Sequence, residues 1–238
     1  MFLVDYQWDK SRSVKTDSLE KRAIGSQQRY ALPVGAREII WVRHGSTVAG
    51  GGYILPFGEL TLSDPPLVPE GHAQAEAVAK RLSRERISQI FVTPLQRTHQ
   101  TAAKLVDLVG IGPVVIAELR EAHLGDWEHE FYERAAAQDP LLKRMLIEES
   151  WDVIPNAERM QSFSARIRIG VEKALSHLAE GATAVAFVHA GTISEVCRQA
   201  TQSRPFGFFA PENTSVSRLV VHADGHWSLR SFNDVSHL

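Results

Sequence analysis

Residues 39 to 42, Ile-Ile-Trp-Val, form an unbroken apolar run of strand-forming types, and the chain turns at once into Arg43-His44-Gly45-Ser46-Thr47. Such a run reads as a buried strand that delivers polar groups to its own C-terminal edge. In open α/β sheets ligands bind at that edge, because loops and helix N-termini converge there and glycine lets backbone approach a ligand. An arginine beside a histidine suits an anion. Taken alone, the pentapeptide fits equally a solvated arginine and a hydrogen-bonded histidine, so the rest of the chain has to decide.

Three later stretches end in the same way. From Gly71, the residues Ala75, Val78, Ala79 and Leu82 recur at helical spacing, and a second strand is expected over 87–92. It runs into Thr93-Pro94, which as N-cap and first helical residue place Arg97 in the first turn, where free N–H groups and the helix dipole favour anions. A third strand over 114–117 leads into a segment crowded with Glu118, Glu121, Asp126 and Glu128. After helices from Asp139 to Glu149 and from about Glu158 to Gly181, a strand over 183–188 ends in His189-Ala190-Gly191-Thr192 before another helix. Segments 215–221 and 227–232, joined around Asp224-Gly225, make a closing hairpin. This alternation implies an α/β fold, a three-layer α/β/α sandwich whose strands 38–42, 87–92, 114–117 and 183–188 share one mostly parallel sheet.

Residues 38–238 are expected to form one domain, and residues 1–37, polar with scattered aromatics, an N-terminal extension of unassigned chemistry. The glycines and prolines between Ala49 and Pro69 read as an irregular entrance loop or lid. Gly50-Gly51-Gly52 is followed by no Lys-Ser/Thr and fits no GxGxxG pattern, which argues against a nucleotide site.

Composition narrows the function. Twenty-six Lys+Arg against 28 Asp+Glu leave a formal net charge of -2, which argues against a general nucleic-acid or anionic-membrane binder and makes any basic site local. No apolar run approaches the ~20 residues of a membrane span. The one cysteine, Cys197, is expected in the core, with a reducing, cytoplasmic compartment as the default.

Arg43, His44, Arg97, Glu121 and His189 thus stand at strand exits. Arginine offers forked donors matched to phosphate oxygens, and histidine a donor or nucleophile with a free pKa of about 6.5, so the set suits phosphoryl transfer. No third metal ligand stands beside the histidines.

With these residues in these contexts, the chain resembles the histidine phosphatase superfamily, the phosphoglycerate mutase-like proteins, over roughly residues 38 to 221. The matching motifs are VRHGST (42–47), PEGHAQAEAVAKRL (69–82), VTPLQRTHQTA (92–102), LREAHLGDWE (119–128) and FVHAGTI (187–193). The resemblance implies that His44 is the nucleophile that becomes phosphohistidine, that Arg43, Thr47, Arg97 and His189 bind the phosphoryl group, and that Glu121 is the general acid. It implies no metal and no cofactor, a small phosphorylated metabolite as substrate, and a homo-oligomer as one permitted state. Gly50 stands where many members carry a phosphate-binding Asn, and Ala190-Gly191 where many carry Gly-Gly. The short segment from Glu121 to Pro155, whose middle cations are only Lys143 and Arg144, favours a hydrolase over a phosphoglycerate mutase. The intact set of five argues against a non-catalytic phospho-ligand-binding protein.

Overall fold

In β1 (Arg37–Arg43) five successive residues, Glu38 to Val42, are buried, which only a strand covered on both faces achieves. Successive side chains point to opposite faces, and they enter two separate cores. Ile39 and Trp41 pack in one with the residues of helices toward the C-terminus, whereas Ile40 and Val42 pack in the other with helices from the first half of the chain. The computed structural model describes residues 30–49 and 52–238, and its compact unit spans Leu32–Leu238. The extension expected over residues 1–37 lies for the most part outside the described residues.

After β1 come a short hairpin of β2 (Ile54–Phe57) and β3 (Leu60–Ser63), then α1 (Pro69–Leu82), β4 (Ile87–Val92), α2 (Gln96–Val109) and β5 (Pro113–Val115). Two 3-10 turns, Ala117–Leu119 and Gly125–Trp127, precede α3 (Phe131–Ala136), α4 (Pro140–Glu148) and α5 (Met160–Ser176). The chain closes with β6 (Thr183–Val188), α6 (Ala190–Thr201), β7 (Val216–Val221) and β8 (Trp227–Asp234). The large sheet has the order β5-β4-β6-β1-β7-β8. Pairs β5-β4, β4-β6 and β6-β1 are parallel, and β1-β7 and β7-β8 antiparallel. Val78, Leu82, Ala102 and Leu105 from α1 and α2 fill one core; Phe163, Ile167, Val171, Ile193 and Val196 from α5 and α6 fill the other. This is the three-layer sandwich with a mostly parallel sheet. Helices from β1 and β4 cover one face while α6, leaving β6 between them, covers the other, so a crevice opens at the C-terminal ends of these central strands.

Three expectations need correcting. The stretch expected to be irregular up to Pro69 contains the β2-β3 hairpin, paired Ile54↔Ser63 to Phe57↔Leu60 around a left-handed Gly58. The helix carrying Arg97 starts at Gln96 with Leu95 as N-cap, not at Thr93-Pro94. The Thr93 hydroxyl is engaged elsewhere, and the Gln96 N–H donates 2.8 Å to Asp64 Oδ1 of the distant hairpin, which serves as the cap. The third strand ends at Val115, and Glu121 is presented by the loop after the turn Ala117–Leu119, not by a strand end.

Candidate active site

The parallel register sets Arg43 opposite Val188, and the His44 N–H donates to Val188 O at 2.9 Å. The two strands therefore release His44 and His189 side by side, with ring centroids 5.4 Å apart. On the far side of β6, β4 pairs Phe91 with Ala186 and brings Thr93 to Arg97 to the same edge. The loop after His44 is held against α1 backbone to backbone: a Cβ on Gly45 would lie 2.5 Å from Gly71 O, and one on Gly71 2.1 Å from Ser46 O. Only glycine at both positions allows that approach. Gly45 N–H donates to Thr101 Oγ1 and Ser46 N–H to Gln74 Oε1, so two helices fix the loop.

The protonation of His44 follows from its surroundings. Nδ1 lies 2.8 Å from Gly45 O, and a carbonyl only accepts, so the proton is on Nδ1 and Nε2 carries a free lone pair. Burial foremost, then the charges of Arg97 and Arg43, hold its pKa well below the usual value. The ring is neutral and nucleophilic at neutral pH.

His189 is fully buried, and the same influences, burial first and then Arg97 and His44, lower its pKa. Its Nε2 lies 2.9 Å from Thr93 Oγ1, while its Nδ1 is buried with no partner. Leu95 N–H donates to Thr93 Oγ1, Thr93 N–H to Thr98 Oγ1, and the Thr98 hydroxyl to Leu95 O at 2.8 Å. The Thr93 hydroxyl proton is assigned to His189 Nε2 at 2.9 Å in preference to the more distant Thr98 Oγ1 at 3.3 Å, which puts the ring proton on Nδ1 as a donor toward an anion.

Arg97 is buried, with Nη1 donating 2.8 Å to Ser63 O and lying 3.6 Å from Asp64 Oδ1. Its pKa is lowered by burial, opposed first by Glu121 and then by Asp64. Arg43 donates from Nη1 to Pro211 O at 2.7 Å, and its Nε is buried without a partner. Thr47 lies on the wall of the cavity they share and bridges to Leu67.

Glu121 is seated by backbone: Gly191 N–H donates to Oε2 and Ala122 N–H to Oε1, each at 3.0 Å. These bonds favour the carboxylate, as do Arg97 and Arg43, but desolvation is larger and raises the pKa. A Cβ on Gly191 would fall 2.4 Å from Glu121 Oε1, so the seat exists only because that residue is glycine. Arg166 of α5 pins the acid loop from behind, donating to Glu118 O at 2.7 Å, Arg120 O at 3.0 Å and Glu158 Oε1 at 2.8 Å. Of the neighbouring carboxylates, Glu118 pairs with Lys173 and Asp126 accepts from Asn156, both away from the cavity. Glu128 does line it, but its Oε1 accepts from Ser63 N–H at 2.9 Å and its Oε2 from Leu124 N–H at 2.7 Å.

All the sequence-predicted site residues except His189 line one cavity of about 360 Å³, and the His189 ring is tilted against that of His44, which does line it. Sequence reasoning missed the residues that position them. Ser63 and Asp64 hold Arg97, Glu128 ties their hairpin to the acid loop, and Asn213 Nδ2 donates 2.9 Å to His44 O. Nothing local marks these roles, since each is defined by a partner thirty or more residues away. Among the described residues no group of three or more His, Cys, Asp or Glu is placed to hold a metal ion.

The family model described as the histidine phosphatase superfamily (branch 1) matches residues 39–235. Phosphoglycerate mutase-like protein 4 of Arabidopsis thaliana is 30% identical, over 84% of this chain and 86% of its own length. The native structure of a mycobacterial glucosyl-3-phosphoglycerate phosphatase superposes with a TM-score of 0.68 at 24% identity, covering 83% of this chain and 99% of that one. A phosphoglycerate mutase from Bacillus anthracis str. Sterne superposes with a TM-score of 0.70 at 21% identity, covering 86% and 96%. At these identities the two structures establish the fold alone.

Proposed function

We propose, on the premise that the chain belongs to the histidine phosphatase superfamily, that it hydrolyses small phosphomonoesters through a phosphohistidine at His44. One observation carries this reading: a neutral imidazole with its Nε2 lone pair free and a carboxyl whose pKa is raised share a cavity with two arginines. A neutral imidazole and a carboxyl shifted toward its acid form by burial suit a nucleophile and a general acid.

In the first step Nε2 attacks phosphorus, the N–P bond forms and the ester P–O bond breaks. Arg43, Arg97 and the Nδ1–H of His189 take up the charge spread over the phosphoryl oxygens, and Thr47 adds a hydroxyl. Glu121 gives its proton to the departing oxygen, which leaves as the alcohol. In the second step water attacks phosphorus and gives a proton to Glu121, the N–P bond breaks, and inorganic phosphate leaves. The Gly45 carbonyl accepts from the imidazole Nδ1–H throughout and stabilises the positive charge that builds on the ring as Nε2 attacks.

Hydrolysis is favoured over mutase chemistry because the described residues of the cavity wall offer no second cluster of cations for another anion. Lys143 and Arg144, the cations in the segment after the acid, do not line it, and Arg144 pairs at 2.6 Å with Glu148. The lone Cys197, buried and unbridged, supports a reducing, cytoplasmic setting.

Rapid quenching with a phosphate-labelled ester is expected to trap acid-labile, base-stable label on the wild type and none on His44→Asn. Label that survives the substitution refutes the nucleophile. Interconversion of phosphoglycerates far faster than hydrolysis, dependent on a bisphosphate, would establish the mutase instead.

A further inference from the structure

We infer that the organic part of the substrate is uncharged and presents an aromatic or extended apolar face. This rests on the hydrolase reading for its chemistry and on the cavity for its selectivity. Besides His44 and the arginines the cavity is walled by Leu124, Phe131, Tyr132, Trp151, Phe206 and Phe209. Phe206 and Phe209 are stacked, 4.7 Å between centroids and 16° between planes, and Trp151 lies nearly parallel to Phe206 at 6.2 Å. Tyr132 is 56% and Phe209 45% exposed. Large aromatic side chains left open to water around a reactive centre mark a surface built to take apolar contact.

Apart from the Tyr132 hydroxyl, the polar side chains on that wall are already engaged. Both Glu128 oxygens accept backbone N–H groups. Glu195 accepts from Arg198 at 2.7 Å and Gln199 at 2.8 Å, and the Ser194 hydroxyl faces Ala190 O and Phe208 O. Among the described residues that line the cavity, Arg43 and Arg97 are the only cations, and both belong to the phosphoryl end. A second phosphate or a carboxylate on the substrate would find no cation there, only the neutral Tyr132 hydroxyl as a donor, and would face Glu128 and Glu195, at the cost of a poorly compensated desolvated charge. A hydroxyl-rich chain would lose its hydration against aromatic faces. A phenyl or long alkyl group instead gains stacking and burial.

Phosphonates test the cavity without turnover. Calorimetric titration of the full chain with butylphosphonate, phenylbutylphosphonate and phosphonobutyrate, which share a phosphoryl mimic, isolates the far end. Phenylbutylphosphonate is expected to bind on the order of tenfold or more tighter than butylphosphonate, and phosphonobutyrate on the order of tenfold weaker. Phe206→Ala should cut the phenyl advantage by about tenfold or less, toward that of a plain alkyl chain. Should that variant misfold, Tyr132→Ala, at an exposed position, should reduce the same ratio. Phosphonobutyrate binding as tightly as butylphosphonate, or no gain from the phenyl ring, overturns the inference. The matching phosphate esters separate the two readings: the expected binding order without phosphohistidine on any ester would sink the hydrolase and leave the selectivity standing.

Discussion

At Glu121 two opposed influences meet in one carboxyl, and their balance sets its chemistry. Desolvation wins over the N–H groups of Gly191 and Ala122 and over two arginines, raising the pKa, so free enzyme loses the acid as pH rises through that value. The alkaline limb of kcat/KM for an alkyl phosphate should therefore disappear in Glu121→Gln, with a rate loss of about 10²–10⁴. An aryl ester such as p-nitrophenyl phosphate, whose leaving group departs largely unaided, should lose much less in its pre-steady-state burst. Equal damage to both bursts would show that Glu121 positions the phosphate and does not protonate the leaving oxygen. Gly191→Ala offers a second reading of the same seat. The added methyl meets Glu121 Oε1 at 2.4 Å, so the variant should reproduce the Glu121→Gln pattern with its stability otherwise nearly intact. Wild-type rates on alkyl phosphates in Gly191→Ala would show that the carboxyl works from another position.

The elements act on the site through contacts that cross between them. Glu128 joins the acid loop to β3 by accepting from Ser63 N–H, and Ser63 O in turn receives Arg97. Glu128→Ala should loosen the hairpin and raise KM more than it lowers kcat; an unchanged KM would show that the hairpin holds Arg97 unaided. Thr93 acts likewise through His189. Thr93→Val is expected to weaken inorganic phosphate binding by about tenfold, as for a lost charged-group hydrogen bond, and Thr93→Ser to restore it; equal loss in both variants would rule out the hydroxyl. These two contacts also show what the sequence could reveal. Continuous apolar runs announced β1, β4 and β6, and their exits announced Arg43, His44, Arg97 and His189, because burial on two faces leaves a mark within a few residues. The hairpin did not, since Pro56 and Gly58 read as breakers and only Leu62 of its strands is buried. The start of α2 was misjudged because its cap, Asp64, is remote in sequence while the nearby Thr93 is committed to His189.

Across the whole molecule, the burial that keeps the histidines neutral makes the fold sensitive to acid. His44 and His189 are both held well below their ordinary pKa, chiefly by burial, and His237 is shifted the same way by burial and Arg81. Well above pH 6.5 these rings are uncharged in folded and unfolded chains alike and contribute nothing to the pH dependence. As pH falls through about 6.5 the unfolded chain takes up protons that the native state refuses, so unfolding becomes easier. Each histidine can add a slope of about 1.4 kcal/mol per pH unit until its folded pKa is reached. Glu121 and the less buried Asp64 work in the opposite sense, because their raised pKa values let the native state bind a proton before the unfolded chain does, but they are two groups against three. Urea unfolding at pH 7.0, 6.0 and 5.0 should therefore show a falling midpoint at constant m-value. The fall should be shallower in His44→Asn and in His189→Asn, each of which removes one of the protons from the balance. A midpoint that stays level between pH 7 and 5, or an equal fall in wild type and both variants, would mean that these histidines are solvated enough to protonate in place. His44 would then be cationic in mildly acidic solution and unable to attack phosphorus without first losing its Nε2 proton.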